Sequence, residues 1–204
     1  MTNGGGFIDP KKIKNKLHTD FIGQEIYHFA EVTSTNDVAK ELAIKGAKEG
    51  TIVIAETQSR GRGRRGRKWI SPEGGIWFSI ILRLKIDPED IFRLTLMAAA
   101  VVAKVINDMF TLKAEVKWPN DVMIGGKKVC GVLTEMVTKG GIVDFVVVGV
   151  GINANIDVDS FSEPLRKFLT SLKEELKEDI DRERLLRALL EELEKRYKYA
   201  RMKK

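Results

Sequence analysis

Two runs in this sequence, T-I-V-I-A-E-T at residues 51–57 and I-W-F-S-I-I-L-R-L at residues 76–84, are apolar and β-branched enough to be buried strands. The link between them, from Gln58 to Gly75, constrains the fold more than any other stretch. It carries R-G-R-G-R-R-G-R-K-W from Arg60 to Trp69. Six basic side chains fall within the nine positions ending at Lys68, separated by Gly61, Gly63 and Gly66. A helix holds such a run poorly, since each interior glycine costs roughly 1 kcal/mol relative to alanine. It has no apolar alternation to make it a strand. A loop of this length in a compact domain is functional or disordered. Its glycines let the backbone come close to a ligand, and its arginines offer planar, charged donors. Such a loop suits a polyanion: a phosphate chain, a nucleotide or a nucleic-acid backbone. Taken alone, it reads more readily as a solvated basic surface loop.

The remaining pattern alternates strands, turns and helices. Residues 26–32 alternate as a strand. Thr33-Ser34-Thr35-Asn36-Asp37 follows with side chains that cap helices, and Val38, Ala39, Leu42 and Ala43 continue at helical spacing. Capping explains most of that stretch, yet a cap also aims backbone N–H groups at whatever lies before the helix. Asp90 can cap a helix from Ile91 to about Phe110. Residues 114–118 read as a short strand and Pro119-Asn120-Asp121 as a turn. Residues 122–136 read as a hairpin about Gly125-Gly126. Gly140-Gly141 turns into residues 142–150, a β-branched and hence central strand ending in Gly149-Val150-Gly151-Ile152-Asn153. Leu165, Phe168, Leu169 and Leu172 predict one amphipathic helix. Leu185, Leu186, Leu189, Leu190, Leu193 and Tyr197 predict a second, capped by Asp181. Near the start, Pro10 opens a short helix reaching Leu17, after a glycine-containing segment, residues 1–7, expected to be disordered.

A chain of 204 residues with 43% hydrophobic content fits one domain with a sizeable core. We take residues 1–24 as an extension and 25–204 as the ligand-binding domain. The net charge of +6 favours anionic partners. Cys130 is the only cysteine, so no intrachain disulfide forms and a reducing compartment is expected. His18 and His28, the only histidines, have no cysteine at ligand spacing, which argues against structural zinc. With no secretory h-region and no membrane-length apolar run, a cytoplasmic protein without membrane contact is expected.

Each loop signal is weak by itself. In order, however, G-R-G-R-R-G-R-K-W with S-P-x-G-G, K-W-P-N-D, K-V-C-G-V-L-x-E and G-V-G-I-N resemble the biotin protein ligase family over roughly residues 26–155. The fold this implies is a mixed α/β (α+β) domain, a largely antiparallel sheet flanked by helices, as in class II aminoacyl-tRNA synthetases. The implied reaction joins biotin and ATP to give biotinyl-5′-AMP and pyrophosphate. A lysine of a biotin carboxyl carrier protein or domain then takes the biotinyl group. The resemblance gathers Ser34, Thr35, Asn36, Gln58, Arg62, Arg64, Gly74, Gly75, Trp77, Lys128, Gly131, Gly149 and Gly151 around biotin. It gives the nucleotide to Gly61, Arg62, Gly63, Arg64, Arg65, Arg67, Lys68, Trp69, Asn120 and Asn153, with Trp69 stacked on adenine. Lys128, Arg64, Asp121 and Lys117 form its catalytic set, and Asp121 is its candidate carboxylate for Mg²⁺.

The elementary chemistry agrees. The first step brings a carboxylate against the α-phosphate of a polyanion, and fixed cations lower that repulsion. Some relatives carry an N-terminal winged helix. About twenty-five residues before the first strand are too few for one, so no DNA binding is expected. After the last helix this sequence also lacks the small β module that ends most relatives, so either it is a truncated form or the module is absent. A lipoate or octanoate ligase of the same fold is the first rival, disfavoured by Gln58, because a lipoyl chain has no ureido group to bond. A nucleic-acid module is the second, disfavoured because Trp69 is the loop's one aromatic. A homodimer is expected on the argument that apolar residues 142–148, left as an open edge, would need a second subunit to cover them.

Overall fold

The computed structural model describes residues 6–202, so most of the segment expected to be disordered lies outside the described residues. Seven strands form one sheet among those residues, in the order β1-β2-β3-β7-β6-β5-β4. They are β1 (Ile26–Val32), β2 (Ile52–Gln58), β3 (Ile76–Leu82), β4 (Ala114–Lys117), β5 (Asp121–Ile124), β6 (Lys127–Lys139) and β7 (Ile142–Ile152). Only β1 and β2 run parallel, and their crossover is the helix α2 (Thr35–Ile44), after the short α1 (Pro10–Lys14). The other neighbouring pairs are antiparallel, which gives the mixed, largely antiparallel sheet flanked by helices. Both Gly-Gly turns are two-residue hairpin connections with φ of +56° and +79° at Gly125-Gly126 and +58° and +82° at Gly140-Gly141. Such φ values at both central positions are what glycine permits cheaply.

Strand alternation sorts the core. Ile52, Ile54, Ile76, Phe78, Ile80, Leu82, Val146, Val148, Val150 and Ile152 face one side. There they pack against α3 (Ile91–Met109) and α6 (Arg182–Met202), which bury Ala98, Val102, Ile106, Leu186, Leu189 and Leu193. Burying a side chain of this size stabilises by about 1.5–3 kcal/mol. Ile8, Ile13 and Ile22 join the same core, so residues 8–22 pack with the sheet. On the opposite side, α2 covers Val53, Ile81, Phe145 and Val147 with Ala39 and Ala43. It covers only that end of the face.

Two expectations need correction. Leu165, Phe168, Leu169 and Leu172 do not share a helix. The chain forms α4 (Glu163–Arg166), runs extended, and resumes as α5 (Leu172–Leu176). Between them the Lys128 N–H donates to the Phe168 carbonyl at 2.8 Å and the Thr170 N–H to the Lys128 carbonyl at 3.0 Å. That bridge and the Ser171 cap on Glu174 N at 3.1 Å outweigh the helical spacing. The edge argument for a dimer also fails, because β7 is the middle strand, paired with β3 on one side and β6 on the other.

Candidate active site

Where α2 stops, glycine takes three of the six positions on the uncovered sheet face. Registered rows run Ser79–Gly149–Leu133 and Trp77–Gly151–Gly131 across β3, β7 and β6. The same alternation that packs valines on the far side therefore leaves backbone as the floor of a cleft of about 480 Å³. That volume suits a small-molecule ligand.

One wall is the start of α2. Ser34, Thr35 and Asn36 are buried there. Ser34 occupies the cap position, but its hydroxyl makes no cap bond. Gln58 caps instead: its Oε1 accepts from Thr35 N at 2.8 Å and Thr35 Oγ1 at 3.2 Å, and its Nε2 donates to Ser71 Oγ at 2.8 Å. Asn36 lies on Gly149. Its Oδ1 accepts from Ser79 Oγ at 2.6 Å and its Nδ2 donates to Glu135 Oε2 at 2.7 Å.

The second wall is the arginine stretch, which is not an open loop. Residues 58–71 close on themselves like an irregular hairpin. Gln58 faces Ser71, Trp69 N donates to Gly61 O at 2.9 Å, Arg62 faces Lys68, and Gly63 N donates to Arg67 O at 2.7 Å. The turn at Arg64–Gly66 puts Arg65 in the left-handed region with φ 57°. Arg64, Arg65, Arg67 and Lys68 are exposed along the cleft. Arg64 Nη1 donates to Asn120 Oδ1 at 3.1 Å. Arg62 behaves differently. Its guanidinium grips both Asp37 oxygens, at 2.5 and 2.7 Å, and reaches Glu135 Oε2 at 3.2 Å. The bond from Arg62 holds the Asp37 carboxyl below the usual carboxylate range, against its partial burial. Burial pushes Glu135 up, but the Lys40 and Asn36 bonds and the charges of Lys40 and Arg62 outweigh it, so its pKa is lowered too.

Lys128 reaches the cleft because of a bulge. By parity with Cys130 and Val132, which face the core, Lys128 would point into it. The register slips between Val122 and Met123, so Cys130 pairs with Val122 and Lys128 with Met123. Val129 takes the core position, fully buried, and Lys128 swings to the cleft side. There its Nζ sits 2.6 Å from Asp121 Oδ1 and 4.8 Å from the centre of the Trp69 ring. Trp69 lies over Gly151 and Gly131, edge-on to Trp77.

Most of the residues expected at the site line this cleft: Ser34, Thr35, Asn36, Gln58, Arg62, Gly63, Arg64, Arg65, Arg67, Lys68, Trp69, Asn120, Asp121, Lys128, Gly131, Gly149, Gly151 and Asn153. Five others do not. Gly61 is buried under the Trp69 carbonyl. Gly74, with φ +90°, abuts the Asn155 carbonyl, and Gly75 is pressed on the Trp77 indole. Trp77 is fully buried behind Trp69, its Nε1 donating to Pro72 O at 2.9 Å. These residues support the cleft from behind. Lys117 is the cross-strand neighbour of Asp121 and sits exposed outside the cleft. Asn153 Nδ2 donates to Thr170 O at 2.9 Å, which ties β7 to the extended 167–171 segment. Sequence reasoning missed Ser71, Ser79, Asp37 and Glu135. Ser79 had a signal, a lone hydroxyl in an apolar strand.

A family model described as biotin/lipoate A/B protein ligase matches residues 28–153, which includes every element of the cleft up to Asn153. The chain belongs to this family. The bifunctional ligase/repressor BirA of Bacillus spizizenii is 41% identical over 194 residues, 95% of this chain but 60% of the relative. Human biotin–protein ligase is 36% identical over 149 residues, 69% of this chain and 20% of the relative. The chain thus spans about 60% of the length of the first curated ligases it matches. The biotin protein ligase of Aquifex aeolicus solved with biotin and ATP superposes with a TM-score of 0.74 at 34% identity, covering 86% of this chain and 71% of that one. The ligase of Leishmania major with biotinyl-5-AMP gives 0.68 at 25% identity over 83% and 73%. The shared ligase fold is the class II synthetase-like one anticipated above.

The donor set does not fit a resident Mg²⁺ centre. Among the described residues no three His, Cys, Asp or Glu side chains converge, and Asp121 is the one carboxylate of those lining the cleft. Among them no helix is long and apolar enough to cross a membrane.

Proposed function

We propose that this chain is the catalytic part of an ATP-dependent biotin–protein ligase. It joins biotin to AMP and then delivers the biotinyl group to a lysine of a biotin carboxyl carrier protein or domain. The observation that carries this reading is the position of Lys128. It stands between a buried polar cradle and a row of exposed cations, where a carboxylate and an α-phosphate must meet.

In this reading Ser34, Thr35 and Gln58 hold the ureido ring, with the Gly149–Gly151 backbone beneath it. The free Ser34 hydroxyl and the second Nε2 hydrogen of Gln58 supply the hydrogen bonds that the internal network leaves over. Arg64, Arg65, Arg67 and Lys68 meet the phosphates, Asn120 holds Arg64 toward them, and Trp69 offers its indole to adenine. A magnesium ion bound with ATP would offset phosphate charge, with Asp121 the nearest protein carboxylate in the cleft. Lys128 and Arg64 offset the charge that builds as the biotin carboxylate oxygen attacks the α-phosphorus and pyrophosphate leaves. In the second step the carrier lysine attacks the acyl carbon, AMP leaves, and Asp121 is the carboxylate placed to take the amine proton. We place the reaction in the reducing cytoplasm, where the fully buried Cys130 stays a thiol that burial makes unreactive.

Pyrophosphate exchange tests the reading. Biotin should drive exchange between labelled pyrophosphate and ATP, while lipoate and octanoate should not. Exchange driven by lipoate and not biotin would move the chain to the lipoate branch. We also retain a homodimer as a proposal, through an outer strand, β1 or β4. A monomer mass by light scattering at micromolar concentration rejects it.

A further inference from the structure

We propose that Glu135, with Asp37, is a positioning residue pair that removes Arg62 from the ligand set and makes it the anchor of the arginine hairpin. The inference rests on the ligase reading for its catalytic consequence, though not for its geometry. Glu135 closes the K-V-C-G-V-L-T-E run. It sits on β6 opposite Val147, one row beyond Leu133 on the cleft side of the sheet.

Four charges meet there: Arg62 and Lys40 against Asp37 and Glu135, with Lys40 Nζ 2.7 Å from Glu135 Oε1. The cluster is neutral, so Arg62 adds little to the field that draws phosphate. Both terminal nitrogens of Arg62 are taken up by carboxylate oxygens, in the two-pronged geometry that fixes a guanidinium in orientation as well as in place. The residue so fixed lies in the arm of the hairpin just before its turn, where Arg62 faces Lys68 and Gly63 bonds Arg67. Of the four exposed cations, Arg64 and Arg65 sit in the turn and Arg67 and Lys68 on the arm facing Arg62.

Glu135 also holds Asn36, which seats the start of α2 on Gly149. One carboxylate therefore sets two things at once: where the polar cradle begins and where the cationic arm starts. The spacing between them is the spacing between the ring of the acid and the phosphate it is joined to. A loosened clamp changes how long the joined product stays bound more than how well either substrate binds alone.

The test uses the full chain as the parent, Asp37→Asn, Glu135→Gln, their double, Arg62→Ala and the triple. Two readouts are taken: trypsin nicking after Arg64, Arg65 and Arg67 in the absence of substrate, and the release rate of biotinyl-5′-AMP. The double should raise both by about tenfold, a coupling of ordinary size for contacting charged groups. In nicking, Arg62→Ala should match the double, because both free the arm; in release, the triple should be no worse than the double, whose Glu135→Gln also loosens Asn36. If the double leaves nicking unchanged, or if Arg62→Ala worsens release further in the double background, Arg62 touches the adenylate directly and the clamp is refuted. Tighter retention in the double refutes it as well. Should Glu135→Gln fail to fold, the cycle between Asp37→Asn and Arg62→Ala decides the same question, since Asp37 lies toward the surface. A parent that makes no biotinyl-5′-AMP would overturn the ligase reading, and the nicking comparison would still decide the clamp.

Discussion

Gly149→Ala isolates the claim that backbone forms the floor of the cleft. A Cβ at Gly149 would fall 2.2 Å from Asn36 Oδ1 and 2.9 Å from its Cγ. Asn36 cannot swing aside cheaply, since it is buried and bonded to Ser79, Leu133 and Glu135. It must retreat by about an ångström, which breaks at least the Ser79 and Glu135 bonds. Overpacking a tight interior costs about 1–3 kcal/mol, and each lost internal bond about 1 kcal/mol. The total is about 3–5 kcal/mol, and at roughly 2–4 °C per kcal/mol for a chain of this size the melting temperature should fall by about 6–20 °C. Gly63→Ala is the control: its φ is −109° and its nearest new contact is the Arg67 carbonyl at 3.5 Å, an ordinary distance. It should melt within about 2 °C of the parent. Differential scanning calorimetry measures both, and titration calorimetry with biotin should show binding weakened by Gly149→Ala far more than by Gly63→Ala. Equal melting temperatures for the two variants would refute the packing argument. Unchanged biotin affinity in Gly149→Ala would refute the floor.

Lys128→Ala should keep the fold and slow adenylate formation by roughly 10²–10³-fold, the usual loss for one preorganised charge-stabilising group; pyrophosphate release within a few-fold of the parent would exclude the role. Arg182→Leu leaves Glu56, 1% exposed, without the guanidinium now 2.9 Å away, and should destabilise by about 3–5 kcal/mol in urea titrations, with His28 limiting the loss. The Asp37, Glu135 and Glu194 carboxyls all have lowered pKa values in the folded chain; burial opposes this at Glu194, where Lys198 and the backbone N–H groups of Asp20, Phe21 and Ile22 prevail. Their stabilisation is present above the ordinary carboxylate range, about pH 4, and is lost as pH falls through the lower folded values. Melting temperature should therefore be flat from pH 8 to about 5 and fall below about 4, and Glu194→Gln should start lower and lose less.

Strand order could not be read from the sequence, but strand identity could. Both Gly-Gly turns and β1 match to the residue, because glycine pairs and alternation are local signals. The 165–172 stretch misled because its leucines repeat at helical spacing, whereas its shape is set by a partner 40 residues earlier in the chain, the backbone of Lys128. The bulge was half visible. Val129-Cys130 puts two apolar residues in succession beside Lys128, a break in alternation that marks an extra residue. Arg62, Asp37 and Glu135 could not be matched from sequence, since ion-pair partners 25 and 73 residues apart carry no local pattern. Trp77, Gly74 and Gly75 were drawn into the site by motif position, while burial places them behind it.

Residues 6–22 are stitched to the helix α6, more than 170 positions further along. Glu194 accepts the N–H groups of Asp20, Phe21 and Ile22, Glu183 accepts that of Asp9, and Arg182 donates to the Gly6 carbonyl. Residues 6–22 therefore wait for α6 to be made before these bonds can form. At roughly 5–20 residues per second, that wait is on the order of ten seconds or more. Throughout it, the sheet face that α6 later covers has no lid, and Ile52, Ile80 and Val148 stand open to other chains. Until α6 is made, that apolar face is the part of the fold most open to association with other chains.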